Sequence, residues 1–280
     1  MSAIAAARTT APTLPTLPVD EDFDGAYRRK QRIYRIAVLT VRLAIVAVLL
    51  GGWQGLSGPV IDPFWVSSPE AIGDRLIEWT RDGTLAANAQ ATLLAMAIGL
   101  VLGSAAGIVA GFLLGRVRLL GDVFNPFIIA MNSLPKLALA PLFILWFGIG
   151  LQAKVVMTAL VCFFLVFYNT FAGARDTDSE LLGVVAVLGA NSRQRLTKVI
   201  LPYTLAWILT GLRLAVPYSL LGVVVSEITA SNEGLGHLLK TSANTFDTAG
   251  TFAAIAVLVV VALVLNIVVT RAESLSSRWK

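Results

Sequence analysis

Six long apolar segments constrain this chain more than any other feature of its sequence. They cover roughly residues 36–56, 93–115, 124–148, 152–173, 203–228 and 251–270. Each is long enough to cross a hydrocarbon layer of about 30 Å, which takes about 20 helical residues. Because the runs are continuous and do not alternate with a period of two, they favour helices over the strands of a membrane barrel. The sequence therefore predicts an all-α membrane protein with six transmembrane helices.

The composition agrees with a membrane setting, and the charges predict its orientation. Hydrophobic residues make up 56% of the chain and charged residues only 14%, a balance unlike that of a soluble domain. Basic residues cluster on one side of a six-span topology, at 28–35, 116–118, 193–198 and 271–280. The opposite loops carry chiefly Arg75, Arg81, Lys154 and Lys240. By the positive-inside bias both termini are cytoplasmic, and the net charge of +5 then requires no nucleic-acid partner.

The N-terminal part of the chain differs in composition from the rest. Its first 26 residues are rich in Ala, Thr and Pro and lack both a helical period and apolar bulk. We therefore expect residues 1–34 to form a disordered cytoplasmic tail. Residues 35–280 are predicted to form one transmembrane domain.

Residues that carry chemistry are scarce. Cys162, the only cysteine, lies within the fourth segment, where we expect it to pack among apolar side chains. His237, the only histidine, has no cluster of Cys, His or acidic residues around it, so we predict no metal site. No Ser–His pair or aspartate pair falls within the apolar segments, and no Gly-rich phosphate-binding loop is present. The sequence predicts neither an enzyme nor a cofactor.

Two local patterns concern helix packing. Ser68 and Pro69 predict the start of an amphipathic helix between the first two spans, with an apolar face that includes Ile72 and Trp79. The second span carries a glycine at every fourth residue, at Gly99, Gly103, Gly107, Gly111 and Gly115. These glycines share one face, where another helix can approach closely. We expect tight packing within the subunit, or a face that repacks when the protein changes state.

Polar residues inside the apolar segments are candidates for a transport path. Pro135 and Pro141 lie within the third segment, which is therefore expected to kink or open there. A lysine near the break, Lys136, is costly in lipid and either faces a cavity or extends to the membrane boundary. The candidates are Asn132, Ser133, Lys136, Asn169, Arg213, Tyr218, Ser219, Ser226 and Glu227. Each of them can instead form a hydrogen bond between helices.

A polar segment, residues 174–202, interrupts the apolar runs and carries a motif. Gly189 is followed at fixed distances by Val199, Leu201 and Pro202, which resembles the end of the G-x9-I-x-L-P signature of permease subunits of binding-protein-dependent ABC importers. That signature opens with Glu-Ala-Ala six residues before the glycine, where this chain has Gly183, Val184 and Val185. The acid is absent from its usual position, and Glu180 stands three residues earlier.

Longer stretches extend the resemblance over about residues 60 to 280. The segments LPKLALAPLFILWFGIG, NTFAGARDTDSELL, ILTGLRLAV and SEITASNEGLGHLL are similar to the nitrate, sulfonate and taurine branch of these permeases. The resemblance implies a type I ABC importer permease bundle of the bacterial inner membrane, with a cytoplasmic coupling helix. It also implies a cytoplasmic ATP-binding subunit, an extracytoplasmic solute-binding protein and a second permease copy, with a homodimer expected. The solute is expected to be small, either an anion such as nitrate, a sulfonate or taurine, or a neutral heterocycle.

The local sequence of the polar segment suits such a coupling role. Thr177 and Glu180 predict a capping box for a helix through Leu188, which Gly189 would end. Asn191 or Ser192 is expected to cap a second helix that runs to Leu201. The coupling residues implied by the resemblance are Glu180, Gly183, Gly189, Ala190, Asn191, Ser192, Arg193, Arg195, Leu201 and Pro202.

One alternative function remains at this point. A secondary transporter or channel, not coupled to ATP, would use ionisable residues inside the membrane. Lys136 and Arg213 are the positions that could support it.

Overall fold

The chain folds into helices along nearly its whole described length. A computed structural model describes residues 21–176 and 179–276, and no β-strand occurs among them. The helices are α1 (Glu21–Leu56), α2 (Pro63–Val66), α3 (Pro69–Arg81), α4 (Thr84–Arg116), α5 (Arg118–Ser133), α6 (Ala140–Phe147), α7 (Leu151–Arg175), α8 (Ser179–Val187), α9 (Ser192–Arg195), α10 (Leu201–Thr229), α11 (Leu235–Asn244) and α12 (Thr248–Ser276).

Among the described residues, five helices are long and apolar enough to cross a membrane, and a bent pair makes a sixth if it is counted as one span. The five cover Arg29–Leu56, Thr84–Arg116, Leu151–Arg175, Ser192–Thr229 and Thr248–Arg271. The bent pair joins Leu119–Met131 to Lys136–Phe147 at an angle of 78°. The predicted all-α bundle of six spans is therefore confirmed, with the third span broken.

The first span forms a compact unit separate from the rest of the chain, which begins at Leu56. Its helix α1 begins at Glu21. Residues 21–34, assigned to the tail from sequence, are thus part of this helix, because the charged stretch before the span continues its helical backbone. Residues 1–20 of the predicted tail lie outside the described residues. The elements discussed below all belong to the second unit.

The break in the third span follows from its prolines. Leu134 has an extended backbone (φ −67°, ψ 134°), as expected for a residue that precedes proline. After Pro135 the chain makes a short 3-10 turn, Lys136–Leu139, before α6 begins. Pro135 can neither donate a backbone hydrogen bond nor fit against the preceding turn. The span therefore opens where the sequence predicted a kink.

Helix α7 lies at the centre of the bundle and packs against α4 on one side and α10 on the other. The glycine face of α4 makes the first contact close. A Cβ atom added to Gly99 would lie 2.5 Å from the Thr158 Cβ, and one added to Gly111 would lie 2.7 Å from the Phe167 carbonyl oxygen. The five glycines are buried, so the prediction of tight packing within the subunit is confirmed. Cys162 is buried beside Val166 and Ala215, as expected for a packing residue.

The two ends of this bundle carry different elements. One end, called the α11 end, carries α3 and α11, the starts of α4, α7 and α12, and the end of α10. There α3 packs on α12 and α4 through the buried Ile72 and Trp79, and the Ser68 hydroxyl caps it by accepting a hydrogen bond from the Ala71 N–H at 3.2 Å. The opposite end, called the α8 end, carries α8 and α9. The two candidate functional regions lie at these ends, with a cavity between them.

Candidate functional site

A cavity of about 380 Å³ lies where the broken span meets α7 and α10. Its lining residues are Lys136, Leu137, Val161, Phe164, Leu165, Tyr168, Asn169, Tyr218 and Leu221. The 3-10 turn after Pro135 supplies the first two, because the break turns that stretch of backbone toward α7. The cavity therefore exists at this place because the third span is interrupted.

The cavity combines one cationic group with aromatic walls. The Lys136 Nζ lies 4.9 Å from the centroid of the Phe164 ring, a distance typical of a cation–π contact. The Tyr168 hydroxyl donates to the Ile128 carbonyl oxygen, and the Asn169 Nδ2 donates to the Leu165 carbonyl oxygen at 2.8 Å. No carboxylate is among the lining residues. A small solute with a negative charge and an apolar part fits this chemistry.

Three of the nine path candidates line this cavity, namely Lys136, Asn169 and Tyr218. The others lie elsewhere. Ser133 bonds within α5, donating to the Ile129 carbonyl oxygen at 3.1 Å, and Arg213 is exposed on α10 outside the lining. Ser219 and Ser226 are buried in the packing of α10, as is Glu227. The side chain of Asn132 lies outside the described residues.

Glu227 is the acceptor at the centre of a buried polar cluster at the α11 end. Its side chain has no exposed surface. The Thr92 hydroxyl donates to both carboxylate oxygens, at 2.9 and 3.0 Å, and the Gly236 N–H donates to Oε2 at 2.9 Å. The Lys154 Nζ lies 3.6 Å from Oε1. A buried carboxylate is stable only with such partners.

Lys154 was not among the residues that the sequence singled out for a site. Its side chain is 1% exposed. The sequence pattern places it among the basic residues on the loop side opposite the basic clusters. Besides Glu227 it contacts Glu233, donating to the backbone carbonyl at 2.7 Å and lying 3.6 Å from the carboxylate. One sequence signal could have predicted this pair. Lys154 stands at the start of the fourth span and Glu227 near the end of the fifth, and the six-span topology places these two ends on the same side of the membrane.

The α8 end presents a helix–turn–helix segment. Helix α8 ends in a Schellman motif, in which the Ala190 N–H donates to the Val185 carbonyl oxygen at 3.1 Å and the Gly189 N–H to the Ala186 carbonyl oxygen at 3.0 Å. Gly189 has φ +83°, a left-handed conformation, yet an added Cβ would meet nothing within 4 Å. Glycine is required here by backbone conformation and not by crowding.

Asn191 caps the following helix, one of the two caps expected from sequence. It forms a capping box with Gln194, in which the Gln194 N–H donates to Asn191 Oδ1 at 2.8 Å. Thr177, the other predicted capping residue, lies outside the described residues, as does the side chain of Glu180.

The second helix of this segment does not end at Leu201, and that expectation is wrong. A wide turn, Leu196–Ile200, joins α9 to α10, so that the helix continues into the fifth span as Ser192–Thr229. In this turn the Leu201 N–H donates to the Leu196 carbonyl oxygen, five residues back. Pro202 has no N–H to donate to the preceding turn, and such a widened turn accommodates its ring without ending the helix.

The surface of the segment is apolar in one part and basic in another. Val187 is 89% exposed and Leu188 80% exposed, and Gly183, Ser192 and Arg193 are exposed as well. Arg195 is half-buried, and its guanidinium contacts the Ser192 hydroxyl at 3.4 Å. Large apolar side chains that are this exposed at the end of a helix bundle are typical of a surface that a partner protein covers.

A bundle of spanning helices, with a largely apolar cavity that contains one lysine and an exposed helical segment at one end, is typical of a membrane transport subunit. Comparison with known proteins specifies its class. Residues 103–279 match the family described as binding-protein-dependent transport system inner membrane component, and the chain belongs to this family.

Individual relatives agree with this assignment. The riboflavin transport system permease protein RibX of Chloroflexus aurantiacus is 36% identical over 83% of this chain and 87% of its own length. The taurine transport system permease protein TauC of Escherichia coli is 28% identical over 82% of this chain and 86% of its own length. An inward-facing structure of the MetNI methionine ABC transporter has a TM-score of 0.57 at 17% identity, covering 66% of this chain and 92% of that chain. At this identity, the similarity to the MetNI structure supports the fold alone.

The chain is therefore a membrane-spanning permease subunit of a binding-protein-dependent ABC importer, and the resemblance found in the sequence is confirmed. The family is one of transport permeases of the inner membrane. Membership implies that an ATPase subunit and a solute-binding protein work with the chain.

Proposed function

We propose that the α8 end is cytoplasmic and that the α8–α9 segment, residues 179–195, is the surface on which the ATPase subunit acts. The exposed Val187 and Leu188 support this proposal, because a partner that covers them removes about 25 cal/mol of unfavourable hydration per Å². The basic cluster at 193–198 and both chain termini then share the cytoplasmic side. Arg193, exposed beside the apolar patch, is positioned to meet carboxylates of that partner.

The translocation path runs past the cavity at the broken third span, between two copies of this chain. One copy encloses the cavity only in part, with walls from α7, α10 and the 3-10 turn. A second copy related by a two-fold axis closes it, as in most symmetric assemblies of identical subunits. Lys136, Asn169 and Tyr218 are the residues of the path that meet the solute.

The solute carries a negative charge. Lys136 is the charged residue among those lining the cavity, and a cation in an apolar wall attracts an anion strongly because little water screens it. The taurine transport function named for TauC agrees with a sulfonate, whereas the riboflavin named for RibX is a planar heterocycle that the Phe164 and Tyr218 rings would suit. The lysine favours the anion among these solutes.

The subunit couples the movement of its ATPase contacts to a change in how its spans pack, and it makes or breaks no covalent bond. Nucleotide-driven closure of two ATPase subunits moves the two α8–α9 segments, and the spans switch access to the cavity from one side of the membrane to the other. The described residues contain no group of three or more His, Cys, Asp or Glu side chains that could hold a metal ion. The proposed function requires no cofactor and no nucleic acid.

Copurification tests the role of the α8–α9 segment. The tagged chain is isolated from its native membrane, the copurifying proteins are identified by mass spectrometry, and ATP hydrolysis is measured in the eluate. We expect an ATP-hydrolysing subunit with the parent chain. An active transporter that copurifies without any ATPase would overturn the proposal in favour of a secondary carrier.

Variants at two glycines make this test specific. Gly189→Val forces a branched side chain into the left-handed region at a cost of about 1–2 kcal/mol, which corresponds to about a fivefold to thirtyfold loss of recovered ATPase. Gly189→Asn should retain recovery, because asparagine tolerates this conformation. Gly73→Ala is the matched control, since Gly73 lies within α3 at the opposite end with open space around it, and it should behave as the parent.

The charge of the solute is tested at Lys136. Proteoliposomes that contain the native complex are assayed for uptake of ethanesulfonate, which is an anion, and of riboflavin, which carries no net charge. Lys136→Met should reduce uptake of the anionic sulfonate at least about tenfold, since a lost charge-assisted contact is worth about 1.5–3 kcal/mol, while Lys136→Arg should retain most of it. Uptake of riboflavin alone, unchanged by Lys136→Met, would contradict an anionic solute.

A further inference from the structure

The start of α11 is fastened by three consecutive backbone N–H groups. The Gly234 N–H donates to Asn88 Oδ1 at 2.7 Å, the Leu235 N–H to Thr92 Oγ1 at 2.8 Å, and the Gly236 N–H to Glu227 Oε2 at 2.9 Å. Two of these acceptors come from α4 and one from α10. The first-turn N–H groups of a helix have no partner within the helix, so side chains of two neighbouring spans complete this one.

Glu227 connects these bonds to a third span. Its carboxylate lies at the start of α11, where the helix dipole favours a negative charge, and the Lys154 Nζ of α7 is 3.6 Å from it. The Thr92 hydroxyl donates to the same carboxylate and accepts the Leu235 N–H. A continuous chain of buried polar contacts thus joins α4, α7, α10 and α11.

The two glycines of this loop fit the carboxylate closely. Gly234 has φ +116°, and a Cβ added there would overlap the Glu227 carboxylate. A Cβ added to Gly236 would lie 2.8 Å from both the Glu227 Cβ and the Val224 carbonyl oxygen. The backbone can approach the carboxylate only because both residues lack a side chain, so the sequence of the loop is matched to this contact.

Stability alone does not explain such a cluster. Apolar residues that replace a buried ion pair are often as stable as the pair, because both charges lose their hydration. A buried pair does, however, make separation of its partners costly, since pulling them apart leaves an unpaired charge in the bundle. Helices that such a buried ion pair connects are therefore expected to move together.

We infer that Glu227 is a positioning residue, which with Lys154 and Thr92 fastens α11 to the ends of α4, α7 and α10, so that these four elements move as one rigid body during transport. The inference rests on the proposed function, because it concerns the conformational cycle of the importer. The movement that opens the path then occurs at the break around Pro135, where the helix of the third span is interrupted.

Distance measurements between spin labels test this rigid body. Labels on cysteines at Gln90 of α4 and Ala243 of α11, both exposed, are introduced in a Cys162→Ala background. The distance is measured in the complete reconstituted complex without nucleotide and after trapping with ATP and vanadate. We expect the distance between the two labels of one chain to have a narrow distribution that is the same in both states. A distance that changes between the two states would overturn the inference.

Two isosteric substitutions separate positioning from general packing. Thr92→Val removes the hydroxyl that bonds both Glu227 and Leu235, and we expect it to broaden the Gln90–Ala243 distribution and to lower ATP-driven uptake about tenfold. Thr229→Val is the matched control, since the Thr229 hydroxyl donates within α10 to the Val225 carbonyl oxygen, and it should match the parent in both measurements. Loss of uptake in Thr92→Val with an unchanged distribution would show that the residue acts in another way.

Two points keep the test decisive. If Thr92→Val does not reach the membrane, Asn88→Ala removes the acceptor of the Gly234 N–H without touching a buried charge and should broaden the distribution in the same way. If no ATPase accompanies the complex, the proposed function fails, while the label distance in the variants still decides whether α11 is fastened through this cluster.

Discussion

The two ends of the bundle use glycine and charge in opposite ways. At the α11 end, Gly234 lies against the Glu227 carboxylate, and the Lys154–Glu227 pair is fully buried. At the α8 end, Gly189 has open space around it, and Arg175 pairs with Asp122 at 2.6 Å on a largely exposed surface. The first end holds its buried ion pair with hydrogen bonds from the same chain, whereas Val187 and Leu188 of the second end are exposed. Under the proposed function and the inferred rigid body, this difference serves transport: the α11 end stays rigid, and a partner completes the α8 end.

The ion pairs give the largest predicted contrast. Lys154→Met leaves the Glu227 carboxylate buried without its cation, and we expect it to lower the free energy of unfolding by about 3–5 kcal/mol. Asp122→Asn breaks the exposed pair with Arg175 and should cost less than about 1 kcal/mol. Denaturant unfolding of the purified protein in detergent, followed by tryptophan fluorescence, measures both. Equal losses would remove the distinction between the two ends.

The glycines give the next contrast. Gly234→Ala adds a crowded Cβ in a left-handed conformation, and we expect a loss of about 2–5 kcal/mol of stability, the sum of overpacking and backbone strain. Gly189→Ala carries the backbone strain alone, about 1–2 kcal/mol. Gly73→Ala, in the interior of α3 with open space around it, is the control and should stabilise by about 0.5–1 kcal/mol. A larger loss of stability for Gly189→Ala than for Gly234→Ala would contradict this contrast.

Substitutions in the exposed apolar patch, Val187 and Leu188, should change the stability of the chain least but should strongly reduce binding of the ATPase subunit. Substituting Asn for both Val187 and Leu188 should change the free energy of unfolding by less than about 0.5 kcal/mol, because neither side chain is packed within the chain. Recovery of the ATPase subunit in copurification should nevertheless fall about tenfold or more.

A control at the opposite end completes that experiment. Val60 is exposed near the α11 end, and Val60→Asn should leave ATPase recovery unchanged. If the two substitutions reduced recovery equally, the assignment of the α8 end to the ATPase would be wrong.

Much of the fold was predictable because it depends on local properties of the chain. Hydropathy located the spans, Pro135 located the break, and Ser68 and Gly189 marked a helix start and a helix end. Each of these signals acts through nearby backbone atoms, as a capping hydrogen bond or an allowed φ, so neighbouring residues suffice to interpret it. The resemblance that named the class likewise rested on spacings along the sequence.

The errors had equally physical causes. The helix expected to end at Leu201 continues, because a widened turn accommodates Pro202 within the helix and hydropathy does not report such a turn. The pairing of Lys154 with Glu227 was missed because a lysine at the start of an apolar segment is typical of a membrane boundary. Ser219 and Ser226 stay path predictions: their polarity made them candidates, and the structure buries them on α10, outside the cavity lining.

The sequence by itself thus determined which segments cross the membrane, where they bend and which family the chain resembles. Tertiary structure alone decided that Lys154 and Glu227 meet, that Thr92 and Asn88 receive the first N–H groups of α11, and that three of nine polar candidates share one cavity. These contacts join residues far apart along the chain. Their partners are fixed only when helices pack face to face, and the free energy of burying a charge depends on what that packing places beside it.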